Sequence, residues 1–270
     1  MSSLLKNLDV LVKSGEKLAM LTCYDATFAK LMELAAVDIL LVGDSLGMVI
    51  HGAENTLKVT LEDMTYHVHA VSSGAPNTFI LADMPIKTYE TCKEMALDNA
   101  KMLLKAGAHM VKFEGGGKLA ETARYLVEND VPVCAHLGFQ PQSVEKIGGY
   151  KIQGKTPESA QQILTDAQAM KNAGVNLVLL EMVPAVLAKQ VTAIVPTIGI
   201  GAGIDCSGQV LVLQDLLGIY HGSANKKPED YKAPRFAKNF LRESNSIQQA
   251  IRDYVVQVKE KQFPALEHSY

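Results

Sequence analysis

The 270-residue chain contains no apolar run approaching the ~20 residues that cross a bilayer, so no membrane span is expected. It has no cluster of lysine and arginine, and its net charge is -3, which argues against nucleic acid as a partner. Cysteine is sparse. Cys23, Cys92, Cys134 and Cys206 are far apart and no pair has CxxC spacing. They read as buried free thiols in a reducing compartment rather than as a disulfide framework or zinc site. Residues 1–20 lack a sustained apolar core and a small-residue cleavage site, so no secretory signal is read there. No break in pattern marks a second domain. These absences leave a cytoplasmic globular protein, expected as one domain over residues 1–270 and close to the ~250 residues typical of a (β/α)₈ barrel.

What is present begins with Asp38-Ile39-Leu40-Leu41-Val42-Gly43-Asp44-Ser45, a short apolar run ending abruptly in a carboxylate and a hydroxyl. It is too short for a buried helix and reads as a strand buried on both faces, as in parallel sheets. Ala106-Gly107-Ala108-His109-Met110-Val111-Lys112-Phe113-Glu114 and Ala173-Gly174-Val175-Asn176-Leu177-Val178-Leu179-Leu180-Glu181 repeat the design. Aligned on the small pair before each strand, Glu114 and Glu181 share a frame and Asp44 falls one position later. Thr78-Phe79-Ile80-Leu81-Ala82-Asp83 also ends in an acid. Acids gathered at one end of several parallel strands point to an active site.

Around these stretches the pattern alternates. Leu4, Leu8 and Leu11 share a helical face, so a short amphipathic helix covering one end of the domain is expected first. The spacing then predicts strands at 18–23, 38–43, 78–83, 109–113, 131–136, 176–180 and 197–201, with a strand or turn at 208–213. Helices are predicted between most of them, at 25–36, 60–72, 90–106, 118–129, 156–173 and 184–193. Eight strand candidates favour a closed α/β barrel, with a doubly wound open sheet as the alternative. Two strand-to-helix loops are long, 44–60 and 138–155. Long loops without periodicity are usually functional, and βα loops build the active-site face of barrels. We expect 138–155 to be a lid or substrate wall; a tolerated insertion is the alternative. The polar, lysine-rich segment 221–234 is expected as a mobile loop. Ile247, Ala250, Ile251, Tyr254, Val255 and Val258 form the stripe of a last helix, which closes the barrel or packs on a neighbouring subunit. Ser246 and Gln249 stand at capping-box spacing, and Phe263-Pro264 stops the helix.

In a barrel, Asp44, Ser45, Asp83, Lys112, Glu114, His136 and Glu181 converge on one mouth. Carboxylates crowded there raise one another's pKa unless a cation joins them. Oxygen ligands alone indicate a hard ion, and Mg²⁺ takes one or two carboxylates, waters and the substrate's own oxygens. Lys112 suits an anionic substrate. Such a site polarises a carbonyl and stabilises an enolate. Each residue also has an ordinary alternative: a strand-terminal Asp can cap a helix, Lys112 can merely pair with Glu114, and His136 can be a satisfied core histidine. His67 and His69 have HxH spacing but lie in a predicted helix, which turns them to nearly opposite sides. Gly199-Ile200-Gly201-Ala202-Gly203 is weak evidence for phosphate binding, and its glycines can instead let substrate or cofactor approach the backbone.

Several blocks carry a more specific signal. They are Thr22-Cys23-Tyr24-Asp25, Leu41-Val42-Gly43-Asp44-Ser45-Leu46-Gly47-Met48, Leu81-Ala82-Asp83-Met84-Pro85 and Met110-Val111-Lys112-Phe113-Glu114-Gly115-Gly116, followed by His136-Leu137-Gly138, Pro141-Gln142-Ser143, Gly148-Gly149-Tyr150-Lys151, the Gly199–Gly203 run and Phe236-Ala237-Lys238-Asn239-Phe240. Through them the chain resembles the 3-methyl-2-oxobutanoate hydroxymethyltransferase (ketopantoate hydroxymethyltransferase) family along nearly its whole length. Its chief departure is the lysine-rich stretch at 223–232. The resemblance implies a (β/α)₈ TIM barrel of the phosphoenolpyruvate/pyruvate-type superfamily. The implied reaction moves a hydroxymethyl group from 5,10-methylenetetrahydrofolate to 3-methyl-2-oxobutanoate through a Mg-stabilised enolate, giving ketopantoate for pantothenate synthesis. It also implies Mg²⁺ on Asp44 and Asp83, with Glu114 in or next to its shell. Ser45 and Lys112, with Asp44 and Asp83, hold the 2-oxo acid, and Glu181 is the general base. A homodecamer built from pentamers is implied as the assembly. Two competing readings are a C–C lyase of the same superfamily, whose cysteine motif is not evident here, and a barrel kept for binding without catalysis.

Overall fold

The computed structural model describes residues 3–270 apart from Ala224 and Lys226. Eight short, almost wholly buried strands are the scaffold: β1 Leu18–Thr22, β2 Ile39–Val42, β3 Phe79–Asp83, β4 Met110–Glu114, β5 Val133–Gly138, β6 Leu177–Glu181, β7 Thr197–Ile200 and β8 Gly208–Leu211. Each pairs in parallel with its sequence neighbour, and β8 returns to β1 with Leu18 opposite Gly208, so the sheet closes in the order β1 to β8. The open-sheet alternative is thereby excluded. Residues 208–211 are strand rather than turn because only that pairing satisfies the free edge of β1.

Helices wrap the outside. They are α1 Ser3–Ser14, α2 Ala26–Leu34, α3 Leu46–Val49, α4 Leu61–Gly74, α5 Lys93–Ala106, α6 Ala120–Glu128, α7 Val144–Ile147, α8 Pro157–Asn172, α9 Ala185–Ile194, α10 Leu213–Leu216 and α11 Ile247–Lys259. Their starts follow local chemistry. Asp25 caps α2 through the Phe28 N–H, and Thr60–Asp63 and Thr156–Ser159 form capping boxes on α4 and α8. The small pairs that precede three strands are helix ends. Ala36, Gly107 and Gly174 all take positive φ, which turns the chain from helix into strand within a residue or two.

Four expectations are refined. The apolar stripe of α11 is used within the chain: Ala250, Ile251, Tyr254, Val255 and Val258 are buried, and the Tyr254 hydroxyl donates to the Met20 and Gln209 carbonyls at 2.9 Å each. It covers the β1–β8 seam and is not a free surface for another subunit. Its start is half a capping box, since Ser246 accepts from the Gln249 N–H while the Gln249 amide turns to Asp253. Cys92 is exposed, unlike the three other thiols, because it sits at the N-cap of α5 and accepts from the Met95 N–H. In the lysine-rich segment, Ala224 and Lys226 lie outside the described residues. Pro228–Asp230 forms a 3₁₀ turn, and Tyr231 reaches back to Asp215. Among the described residues no helix is long and apolar enough to cross a membrane.

Candidate active site

Alternation along the strands decides which side chains face inward. Lys112 and Glu114 are two apart on β4 and share a face, while Val111 and Phe113 point to the helices. Register then places Asp83 beside Lys112, and Glu114 beside His136. Asp83, Glu114 and Glu181 are the last residues of β3, β4 and β6, and Asp44 follows β2 by two positions. All are gathered with Ser45 around one cavity of about 640 Å³ at the C-terminal end of the barrel.

The contacts give each group a distinct setting. Lys112 Nζ lies 2.9 Å from Asp83 Oδ1, both side chains 4% exposed. Lys112 therefore pairs with Asp83, not with Glu114, its partner being set by strand register. Asp83 Oδ2 accepts the Asp44 N–H at 3.0 Å, Asp44 Oδ2 accepts from Gln142, and neither acid caps a helix. Ser45 Oγ is 2.8 Å from the Tyr24 hydroxyl. His136 stands between two acids, with Nδ1 3.5 Å from Glu114 Oε1 and Nε2 3.3 Å from Glu181 Oε2. Lys112 Nζ approaches the same Nδ1 at 3.4 Å. His136 belongs to the site, which excludes the plain core reading. Glu181 is the most open of these acids, its side chain 13% exposed against 2% for Glu114. The next residue, Met182, is buried and has φ 49, a strained conformation held by its N–H to the Ile200 carbonyl and its own carbonyl to the Gln153 N–H.

Charge is unbalanced here. Burial, then the charges of Asp83 and Glu114, hold the Asp44 carboxyl well above its usual range. Burial pushes Glu114 up to about 8 and also raises Glu181. Burial pulls Lys112 down, but Asp83, Glu114 and Asp44 outweigh it and hold the ammonium above its ordinary value. Burial and then the Lys112 charge lower His136, so the imidazole is neutral near pH 7. One lysine faces four carboxyls, and the buried Oε1 of Glu114 has no hydrogen-bond donor among the described residues. That orphaned oxygen and the mutual repulsion are what a divalent cation relieves. Among the described residues no three His, Cys, Asp or Glu side chains form a ready-made metal cage. Two carboxylates with room for waters and substrate oxygens is the ordinary Mg²⁺ arrangement, so the residues present fit that ion.

Sequence reasoning missed the support. Gln142, in the 138–155 loop, is buried and bonded on every side. Its N–H donates to Glu114 Oε2, its amide donates to Asp44 Oδ2 and the Met84 carbonyl, and its Oε1 accepts from the Tyr89 hydroxyl at 2.6 Å. Its signals were a place in a long βα loop and in the Pro141-Gln142-Ser143 block, neither of which gives it a partner. Pro141 and Tyr150 from that loop line the cavity, as a substrate wall would. Gln142→Ala strands two acceptors and a hydroxyl, so a loss of about 1–3 kcal/mol is expected together with a higher Mg²⁺ requirement. Thermal unfolding and a Mg²⁺ titration check this, and no change in either would remove Gln142 from the support. The glycine run after β7 serves the protein's own packing: a Cβ at Gly201 would lie 2.8 Å from the Tyr270 ring. His67 faces the Tyr24 carbonyl through Nδ1 at 2.6 Å, away from the acids.

Fold and site together define a (β/α)₈ barrel with a buried cluster of acids and one lysine at its C-terminal mouth. The barrel is similar to that of phosphonopyruvate hydrolase (TM-score 0.62, 14% identity, 78% of this chain and 80% of that one). It is also similar to a complex of that enzyme with oxalate and Mg⁺⁺ (0.59, 13%, 78% and 81%). A third likeness is to 2,3-dimethylmalate lyase, a PEP mutase/isocitrate lyase superfamily member (0.57, 18%, 78% and 81%). At these identities the likeness is one of fold. The sequence is more specific: residues 3–266 match the family model described as ketopantoate hydroxymethyltransferase, and the chain belongs to that family. It is 54% identical over 258 residues to 3-methyl-2-oxobutanoate hydroxymethyltransferase of Nitrosospira multiformis, covering 95% of each chain. It is 53% identical over 262 residues to the enzyme of that name from Chromobacterium violaceum, covering 96% of each.

Proposed function

We propose that this enzyme transfers a hydroxymethyl group from 5,10-methylenetetrahydrofolate to 3-methyl-2-oxobutanoate, giving ketopantoate (2-dehydropantoate) in pantothenate biosynthesis. The observation that carries the reading is a largely buried, raised-pKa glutamate, Glu181, on the same cavity as the Asp44–Asp83–Lys112 cluster. Lys112 and the Ser45 hydroxyl hold the carboxylate of the 2-oxo acid, and Tyr24 fixes that hydroxyl. Asp44 and Asp83, with Glu114 beside them, would hold Mg²⁺, which when bound supplies a Lewis acid for the keto oxygen and makes the C3 hydrogen acidic. Glu181 removes that hydrogen as general base, its reduced contact with water leaving it more basic than a surface glutamate. His136, neutral and 3.3 Å away, orients the Glu181 carboxylate. Water releases the one-carbon unit from the folate donor as formaldehyde, both C–N bonds breaking and the two nitrogens taking up the protons of the water. C3, having lost its hydrogen to Glu181, adds to the carbonyl carbon of that unit, and the proton held on Glu181 returns to its oxygen, which becomes the new hydroxyl.

Support for the ion comes from the unbalanced charge of the site, and phosphonopyruvate hydrolase, which shares the barrel, is known with Mg⁺⁺ and oxalate. We further read the chain as one cytoplasmic domain acting as a homo-oligomer, a decamer by family resemblance. The test is product formation. Purified enzyme with both substrates and Mg²⁺ should form ketopantoate, and chelation of the ion should stop it. Metal-independent turnover would remove the acid cluster from its assigned role, and no product at all would overturn the reading.

A further inference from the structure

The acid cluster occupies only the floor of the cavity. Its volume, about 640 Å³, lies in the range that holds drug-sized ligands, far beyond what a small branched 2-oxo acid fills. The wall beyond the acids is of a different kind. It includes Asp215 on α10, just after β8, with Tyr220, Ser223, Tyr231 and Tyr150. The Tyr220 and Tyr231 rings meet edge to face, centroids 5.1 Å apart, and the Tyr231 hydroxyl donates to Asp215 Oδ1 at 3.1 Å. No lysine, arginine or histidine among the described residues is in ion-pair contact with Asp215, whose carboxyl burial pushes up to about 6. Ser223 Oγ is buried on the same wall with no hydrogen-bond partner among the described residues. Tyr150 lies within electrostatic reach of both Glu181 and Tyr220, joining this wall to the base.

A carboxylate with no cationic partner among the described residues, a buried serine hydroxyl with none of its own there, and several tyrosine rings together ask for a flat, polar heteroaromatic ligand with adjacent N–H donors. The donor's pterin has this form. Its N3–H and 2-amino group project side by side, matching a carboxylate as a guanidinium does. A carboxylate that already accepts one hydroxyl retains lone pairs for both, and tyrosine faces suit a planar ring.

We infer that Asp215 binds the N3–H and 2-amino edge of the donor's pterin ring, with the Tyr220–Tyr231 pair beside it. This rests on the proposed function in requiring that the donor is a folate. Other ways of explaining Asp215, such as ordering of the segment around Tyr231, would leave the chemistry of the pterin edge irrelevant.

The test compares the natural donor with an analogue in which the 2-amino group is replaced by methyl. The wild-type enzyme should prefer the natural donor by about 10–100-fold in kcat/KM, the worth of a hydrogen bond to a charged group. In Asp215→Ala the KM for the natural donor should rise by a similar factor and the preference should shrink towards one. Solvent-deuterium exchange at C3 of 3-methyl-2-oxobutanoate without donor serves as the reference, and the ratio of transfer to exchange should fall. Tyr231→Phe should move the same KM by a smaller factor. An unaltered donor KM in Asp215→Ala would overturn the assignment. So would a wild-type enzyme indifferent to the 2-amino group, a comparison that needs no variant to fold. Absence of transfer with the natural donor in the wild type would instead overturn the functional reading, and this assignment with it.

Discussion

Glu181→Gln should slow solvent exchange of the C3 hydrogen of 3-methyl-2-oxobutanoate by ~10²–10⁴-fold, the usual contribution of a general base. The substitution keeps shape and position but leaves nothing to accept the proton. Binding of Mg²⁺ and the 2-oxo acid should change little, because Glu181 is in contact with His136 rather than with Asp44, Asp83 or Lys112, while Glu114 and Lys112 lie on the other ring nitrogen of His136. The wild-type pH profile carries the same signature. Burial raises the Glu181 pKa, and the base works only when ionised, so exchange should rise with pH through a value above the ordinary glutamate range. On acidification it should be lost earlier than a surface glutamate would predict. A Gln variant exchanging at the wild-type rate would move the role to another group, His136 being the nearest.

Asp83→Ala should abolish turnover at ordinary Mg²⁺ and raise the half-saturating Mg²⁺ by more than the ~10–100-fold that loss of an outer-shell partner costs. It removes one of the two carboxylates assigned to the ion, the acceptor of the Asp44 N–H, and the partner of a buried lysine. Stranding Lys112 should also destabilise the fold by about 3–5 kcal/mol. The two effects separate in a double variant. Asp83→Ala with Lys112→Met removes the stranded charge, so stability should largely return while metal-dependent activity stays lost. Normal activity and unchanged Mg²⁺ dependence in the single variant would contradict the metal assignment.

The strands and the acids at their ends were legible because buried parallel strands leave a plain trace: short apolar runs, in three cases a small pair before the run, and a charged residue at the end with no packing reason to be there. Glu114 and Glu181 share a frame in sequence because both are the last residue of their strands. What was not legible depends on contacts between distant segments. Lys112 meets Asp83 rather than Glu114 because β3–β4 register sets the pair, and no local spacing encodes register. Gln142 returns from a long loop to hold Asp44 and Tyr89, which composition does not foretell. The α11 stripe could face its own barrel or another subunit equally well on periodicity alone. Tyr254 bonded to the Met20 and Gln209 carbonyls decides for the former. The glycine run after β7 likewise matched a ligand approach until Tyr270 filled the space over Gly201.

The central claim is that the mouth of this barrel enolises a 2-oxo acid, and it can be tested without folate. The wild-type enzyme, 3-methyl-2-oxobutanoate and Mg²⁺ are placed in D₂O and the methyl signal is followed by proton NMR. The account predicts that deuterium replaces the C3 hydrogen, so the methyl doublet collapses towards a singlet at a rate that falls on chelation of the ion. A doublet that persists with the acid and Mg²⁺ bound would contradict it.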